Sequence, residues 1–391
     1  MKKKYVVLSI ITLVLLITFL TSFNYFKTSN TYVENNSNNQ TKITKGISMN
    51  LEQTAGAGDY KQVTQSNWPG DDYKFNAALS KCENGSTLSW DNTKNVVVFS
   101  GNVSDKCYVY FDIWIPPSIA DYCSSGTDLA TCVKNFGNQG PDISNIYIHN
   151  SSLTNGAGDN SYRYAGASDS VNNYICLGSD ATTCPDANLF RIIGVFGDQT
   201  KVIRAKSVGK KQWHTSADNT WSSSSLNTYL NGEYLTSLGT LADKIATTTW
   251  KVGGSTYANI SQSVPATAYQ YEVGSSASTT TYDAKIGLMY VTDYYYSASP
   301  SAWTLIGWNS SDATKDYRAV KTTNWLYLGS YEWTISRNSV TTNSAFHVGS
   351  LGSVGGYNVT YSYAVRPSFN LLSSTTYVSG SGSMSDPVRV N

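Results

Sequence analysis

The side chains best equipped for recognition in this sequence are aromatic. The stretch YVTDYYYSASPSAW (290–303) brings together Tyr290, Tyr294, Tyr295, Tyr296 and Trp303, and NWLYLGSYEW (324–333) adds two tyrosines and two tryptophans. Rings with a polar tip, set among Ser and Asn and little charge, can sit at a surface and stack on a ligand. Tyr294, Tyr295, Tyr296, Trp303 and Trp308 are therefore the candidate binding residues, for a cell-surface glycan or a protein partner. Trp325 and Trp333 are expected to build the core instead.

Ionic and metal chemistry is sparse. Arg337 and Arg366 are two of seven arginines, both in apolar surroundings, and Glu332 is the acid nearest in sequence. An arginine fork held by a glutamate or by carbonyls would fix strand register. A substrate-anion site is the alternative, although such sites usually add helix N-termini or further cations. Calcium needs several converging oxygens, and its candidate ligands Asp312, Asp316, Glu332 and Asn338 are scattered. His149, His214 and His347 lie far apart with no H-E-x-x-H pair, and no G-x-S-x-G elbow is present. His347, in AFHV, reads as a structural strand residue. GSLGSVGG (349–356) has no following helix to make a phosphate loop and reads as a hairpin tip. The expectation is a non-catalytic protein with no metal or other cofactor. An exported hydrolase, the rival, would need Asp293, Glu332 or His347 to converge with Arg337; a purely structural surface protein is the other alternative.

Behind these residues stands a chain patterned for export. Its 391 residues are only 14 % charged, against ~25 % in an ordinary soluble domain, with 29 Tyr and six Glu. Net charge is +1, and beyond Lys2, Lys3 and Lys4 no basic cluster remains to release counterions from a polyanion, which excludes nucleic acid as a partner. Residues 5–26 are uncharged and as a helix would span ~33 Å, enough for a ~30 Å hydrocarbon layer. With residues 1–4 cytoplasmic, this transmembrane signal-anchor would leave the C-terminal region extracellular. The alternative is a cleaved signal peptide and a secreted protein, for which Leu20, Thr21, Ser22 and Phe23 make a poor A-x-A-like site. Residues 27–46, polar and Asn-rich, read as a flexible stalk.

An even cysteine count in an exported chain reads as disulfides, and proximity favours Cys82–Cys107, Cys123–Cys132 and Cys176–Cys184 over zinc pairs. Residues 47–116 read as a small β-sandwich: CYVYFDIW alternates from Cys107, and TLSW and VVVF flank a turn. Pro116-Pro117 closes this unit, and residues 117–141 read as a linker pinned by Cys123–Cys132. Residues 142–391 read as one larger α+β domain. There LFRIIGVFG (189–197) and KVIRAKSV (201–208) are expected to pair as a hairpin, and Leu226, Tyr229, Leu230 and Tyr234 mark the clearest helix. LADKIATTTW (241–250) reads as a second helix, and AKIGLMYV (284–291) as a buried strand.

The run WSSSSLNTYLNGEY (221–234), then Trp333-Thr-Ile-Ser336-Arg337, Ala345-Phe346-His347-Val348, Gly352-Ser353-Val354 and Ala364-Val365-Arg366-Pro367, resembles an uncharacterised domain family of bacterial surface proteins over residues 187–371. That family more often places Arg before Ser after the tryptophan. Its order of strand, helices and closing strands is similar to C-type-lectin-like domains and to formylglycine-generating enzymes. The resemblance implies a C-type-lectin-like mixed domain with two helices and several short antiparallel strands; the family has no assigned activity, and the expected role in binding or adhesion rests on the anchor, the disulfides and the aromatic-polar surface. It does not carry formylglycine chemistry, which depends on a cysteine pair late in the domain, because no cysteine follows Cys184.

Overall fold

The computed structural model describes residues 47–63, 69–70, 72–91, 93–94, 96–102 and 104–391. The expected anchor (5–26) and stalk (27–46) lie outside the described residues. Among the described residues no helix is long and apolar enough to cross a membrane. The described residues divide into two compact units, one ending at Pro116 and one of residues 117–391.

In the first unit the alternating run sets the core. Strand Cys107–Ile113 turns Cys107, Val109 and Phe111 inward and pairs in parallel with Ile47–Glu52, Met49 opposite Val109. Tyr60–Val63, Tyr73–Phe75 and Lys81–Cys82 complete this sheet by antiparallel pairing. The hairpin of Thr87–Asp91 and Val96–Ser100 adds Val97 to a core of Met49, Leu51, Val109 and Phe111. Cys82 and Cys107 face each other in the ladder and are disulfide-bonded.

The second unit mixes sheets with short helices. Its larger sheet runs in the order Ser368–Asn370, Gln199–Arg204, Leu189–Phe196, Tyr174–Cys176, Val388–Val390 and Tyr377–Ser379, with Tyr162–Tyr164 and Ile146–Ile148 added beside Leu189–Phe196. Leu189–Phe196 and Gln199–Arg204 form the antiparallel hairpin across Gly197-Asp198. A five-stranded sheet orders Lys210–Gln212, Ser362–Ala364, Glu332–Arg337, Ser344–Val348 and Val354–Asn358. One apolar cluster, including Ile192, Val202, Leu226, Tyr294, Trp333 and Phe369, joins these layers.

Residues 117–141 are not a linker. Helix Leu129–Gly137 buries Leu129, Cys132, Val133 and Phe136, spaced for one helical face, in the core of the second unit. Cys123–Cys132 fastens the preceding turn to that helix. The helix expected at 226–234 occupies residues 225–237, with the Ser224 hydroxyl accepting from Asn227 N at its start.

Two neighbouring expectations fail. Residues 241–250 do not form a second helix. A 3₁₀ turn, Gly239–Lys244, gives way to strand Thr248–Lys251, where threonines and Trp250 suit a pleated surface. Nor do residues 284–291 form a strand. Ile286, Leu288 and Met289 are buried, Gly287 bridges to Ser368, and the Asn231 carboxamide accepts from Ile286 N and donates to Ile286 O in place of a neighbouring strand. Helices Leu129–Gly137, Pro265–Glu272 and Val291–Tyr296 further exceed the expected pair.

Candidate functional site

Helix Val291–Tyr296 is inserted whole into the core, which overturns the binding face expected at 290–303. Tyr294, Tyr295, Tyr296 and Trp303 are buried, and each polar tip meets a main-chain carbonyl. Tyr294 Oη donates to Gly352 O (2.9 Å), Tyr295 Oη to Ile260 O (2.9 Å), Tyr296 Oη to Asn155 O (3.3 Å) and Trp303 Nε1 to Ala298 O (3.1 Å). Burial holds the three phenols above their ordinary pKa. Trp308 is half-buried and edge-on to Tyr257. A helix with no solvent face offers nothing to a ligand, so Tyr294, Tyr295 and Tyr296 are scaffold, as is buried Trp303.

The charged candidates are tied into the framework. Arg366 donates from Nε and Nη2 to Glu332 at 2.6 and 2.8 Å and from Nη2 to Leu326 O, fastening the closing segment to strand Glu332–Arg337. Arg337 donates to Gly253 O and Asn219 Oδ1, and buried Trp333 donates to Lys211 O. The calcium candidates do not converge. Asp312 accepts from Thr314 N, Asp316 from Arg318 and Asn309 N, Glu332 from Arg366, and Asn338 Oδ1 from Val340 N. Among the described residues no group of three or more His, Cys, Asp or Glu is placed to hold a metal. Asp293, Glu332, His347 and Arg337 do not assemble either: Asp293 is paired with Lys201, and His347 lies among tyrosines. His149 is buried, its Nδ1 accepting from Ala157 N, and burial lowers its pKa to about 2.

The exposed aromatic face lies on the five-stranded sheet. Side chains on one face recur every two residues along a strand. The register sets Lys211 beside Tyr363, Trp333 beside His347, His347 beside Gly355 and Ala345 beside Tyr357. Tyr331, Tyr357 and Tyr361 are 46 %, 44 % and 51 % exposed, and Tyr363 is half-buried. Tyr331 stacks on Tyr363 at 5.0 Å, Tyr363 lies 4.5 Å from Trp333, and Tyr357 meets Tyr361 edge-on at 4.6 Å. His347 packs beneath them, 7 % exposed, its ring 5.1 Å from Tyr363 and 5.5 Å from Tyr331. Gly355 makes the room for it, since a Cβ there would stand 3.2 Å from His347 Cε1. His347 Nδ1 has no hydrogen-bond partner, and burial lowers the pKa to about 4, so the ring is neutral at pH 7. Burial and the neighbouring Tyr357, Tyr331 and Tyr361 push Tyr363 up to about 12. Sequence reasoning passed over this face. Its available signal was the spacing of Tyr357, Tyr361 and Tyr363 around a chain reversal at Asn358–Tyr361.

A groove of ≈ 680 Å³ runs between the Cys176–Cys184 loop and the last strand, lined by Asp180, Lys244, Asp386 and Arg389 among others. Arg389 is already engaged there, donating to the carbonyls of Ser179, Ala181 and Thr182.

Fold and site together define a mixed α/β protein, closed by three disulfides, with a neutral tyrosine face. All six cysteines are bonded, as suits an oxidising, extracellular or secreted setting. No family model, curated protein or solved structure matches the chain.

Proposed function

We infer that the protein is an exported, non-catalytic binding protein that offers its tyrosine face to a neutral glycan at the cell surface. The observation that carries this reading is the cluster of Tyr331, Tyr357, Tyr361 and Tyr363 on one sheet face, backed by Trp333 and His347. Contiguous exposed rings on a soluble unit mark interaction sites. Tyrosine joins an apolar ring to a hydroxyl at small entropy cost, which suits the C–H and hydroxyl faces of a sugar. A neutral His347 and the run of phenols favour an uncharged ligand over an ionic peptide. In this reading residues 5–26 anchor the chain in the membrane, residues 27–46 form the stalk, and the larger unit is C-type-lectin-like without a calcium requirement.

A glycan array probed with the full-length protein and with Tyr331→Ala/Tyr361→Ala, each with and without EDTA, tests it. The wild-type protein should retain a neutral glycan in EDTA. The variant should bind roughly 30-fold more weakly, from two rings at about 1 kcal/mol each. Equal binding by the variant, or no neutral glycan retained by folded wild-type protein, refutes the reading. An envelope pull-down would then identify a protein partner instead.

A further inference from the structure

The second unit buries a lysine and an aspartate against each other. Lys201, on strand Gln199–Arg204, and Asp293, on helix Val291–Tyr296, meet with Nζ 2.5 Å from Oδ2, and neither side chain is more than 6 % exposed. The rings of Tyr290, Trp250 and Phe196 stand 4.6, 5.4 and 5.6 Å from Nζ. Tyr290 N donates to the same Asp293 oxygen and fixes the carboxyl in place. Glu272 is buried at the same turn, accepting from Val291 N and Thr292 N at 2.8 Å each and from the hydroxyls of Thr292 and Ser336. Arg163 lies 3.8 Å from Asp293 but has a nearer partner in Asp159, at 2.6 Å.

An ion pair taken out of water sacrifices several kcal/mol of solvation per ion, and condensation removes both charges at once. We propose that Lys201 and Asp293 join in an intramolecular amide, a covalent cross-link between the sheet and the helix. The proton passes from Nζ to Oδ2 across their 2.5 Å contact, and the uncharged Nζ attacks Cγ, forming the C–N bond. A carboxyl oxygen departs as water, taking the proton that nitrogen loses. One ammonium and one carboxylate become one amide and one water, so atoms and charge balance without oxidant or cofactor.

The surroundings suit each part of this step. Burial outweighs the pull of Asp293 and lowers the Lys201 pKa, towards the free amine that must attack. A fixed contact replaces a chance encounter, an effect equivalent to ~10⁵–10⁸ M in well-oriented intramolecular reactions. Exclusion of water opposes hydrolysis of the product. Arg163 keeps Asp159 when the charge on Asp293 disappears, so no cation is stranded.

Mass spectrometry decides it. Full-length protein recovered from an oxidising compartment is reduced, alkylated, weighed intact and digested with trypsin. The expected intact mass is short by one water. The digest should contain a branched peptide joining the Lys201 and Asp293 segments, with no cleavage after Lys201, and Lys201→Arg should restore the full mass. Full mass and ordinary cleavage after Lys201, in wild-type protein whose near-UV circular dichroism shows fixed tertiary packing, overturns the proposal.

Discussion

Acid should loosen this fold through His347, and replacing that residue should remove a measurable part of the effect. The ring is 7 % exposed beneath Tyr331 and Tyr363, with Nδ1 unpartnered, and its pKa falls from the ordinary 6.5 to about 4. Because the folded value is the lower one, the unfolded chain takes up the proton first. The neutral ring therefore contributes stability that is whole above pH 6.5 and is lost as pH falls towards 4. Between about pH 7 and about pH 4.5 those two values give a loss of roughly 2.4 kcal/mol. His347→Phe keeps a ring against Trp333 and Tyr363 and removes both the titration and the unpartnered nitrogen. Urea unfolding of both proteins at the two pH values measures it. Wild type should lose roughly 2.4 kcal/mol more than the variant on acidification, and the variant should be at least as stable near neutrality. His149 and Asp159, each with a pKa lowered to about 2, titrate alike in both proteins and cancel in the comparison. Equal acid losses in the two would refute the reasoning.

Arg366→Met strands the buried Glu332 carboxylate and should cost about 3–5 kcal/mol in denaturant unfolding, most of it regained in Arg366→Met/Glu332→Leu. Asn231→Leu deprives Ile286 of both main-chain partners, and a loss of about 1–3 kcal/mol is expected in the same assay. Gly287→Ala puts a Cβ 2.8 Å from Trp250 Cε2, so calorimetry should find a lowered Tm, corresponding to about 1–3 kcal/mol of overpacking.

Local features of this chain were legible because their causes are local. The alternation from Cys107 to Ile113 and the Gly197-Asp198 hairpin follow from neighbouring residues. The three cysteine pairs, separated by 25, 9 and 8 residues, follow from proximity. The aromatic assignments failed because burial of Tyr294, Tyr295 and Tyr296 depends on distant acceptors. Three consecutive helical residues point in different directions, so only a helix enclosed on every side hides all three. The carbonyls that satisfy them, on Gly352, Ile260 and Asn155, are 58, 35 and 141 residues away. The tyrosine face depends likewise on register among strands that composition does not specify. Asn231 carried a visible motif, yet its use as a surrogate strand became apparent only beside Ile286.

The strand Val388–Val390 occupies an inner position in the larger sheet, parallel to Tyr174–Cys176 and antiparallel to Tyr377–Ser379. Arg389 lies 210 residues beyond Ser179, whose carbonyl it holds. As the chain emerges from its N-terminal end, the Cys176–Cys184 loop can close early, but the sheet keeps a missing rung until residues 388–390 arrive. Until then both flanking strands present unpaired edges, the kind of surface on which chains aggregate. Timing therefore becomes a vulnerability of this architecture: a chain halted before residue 388 is a sticky intermediate.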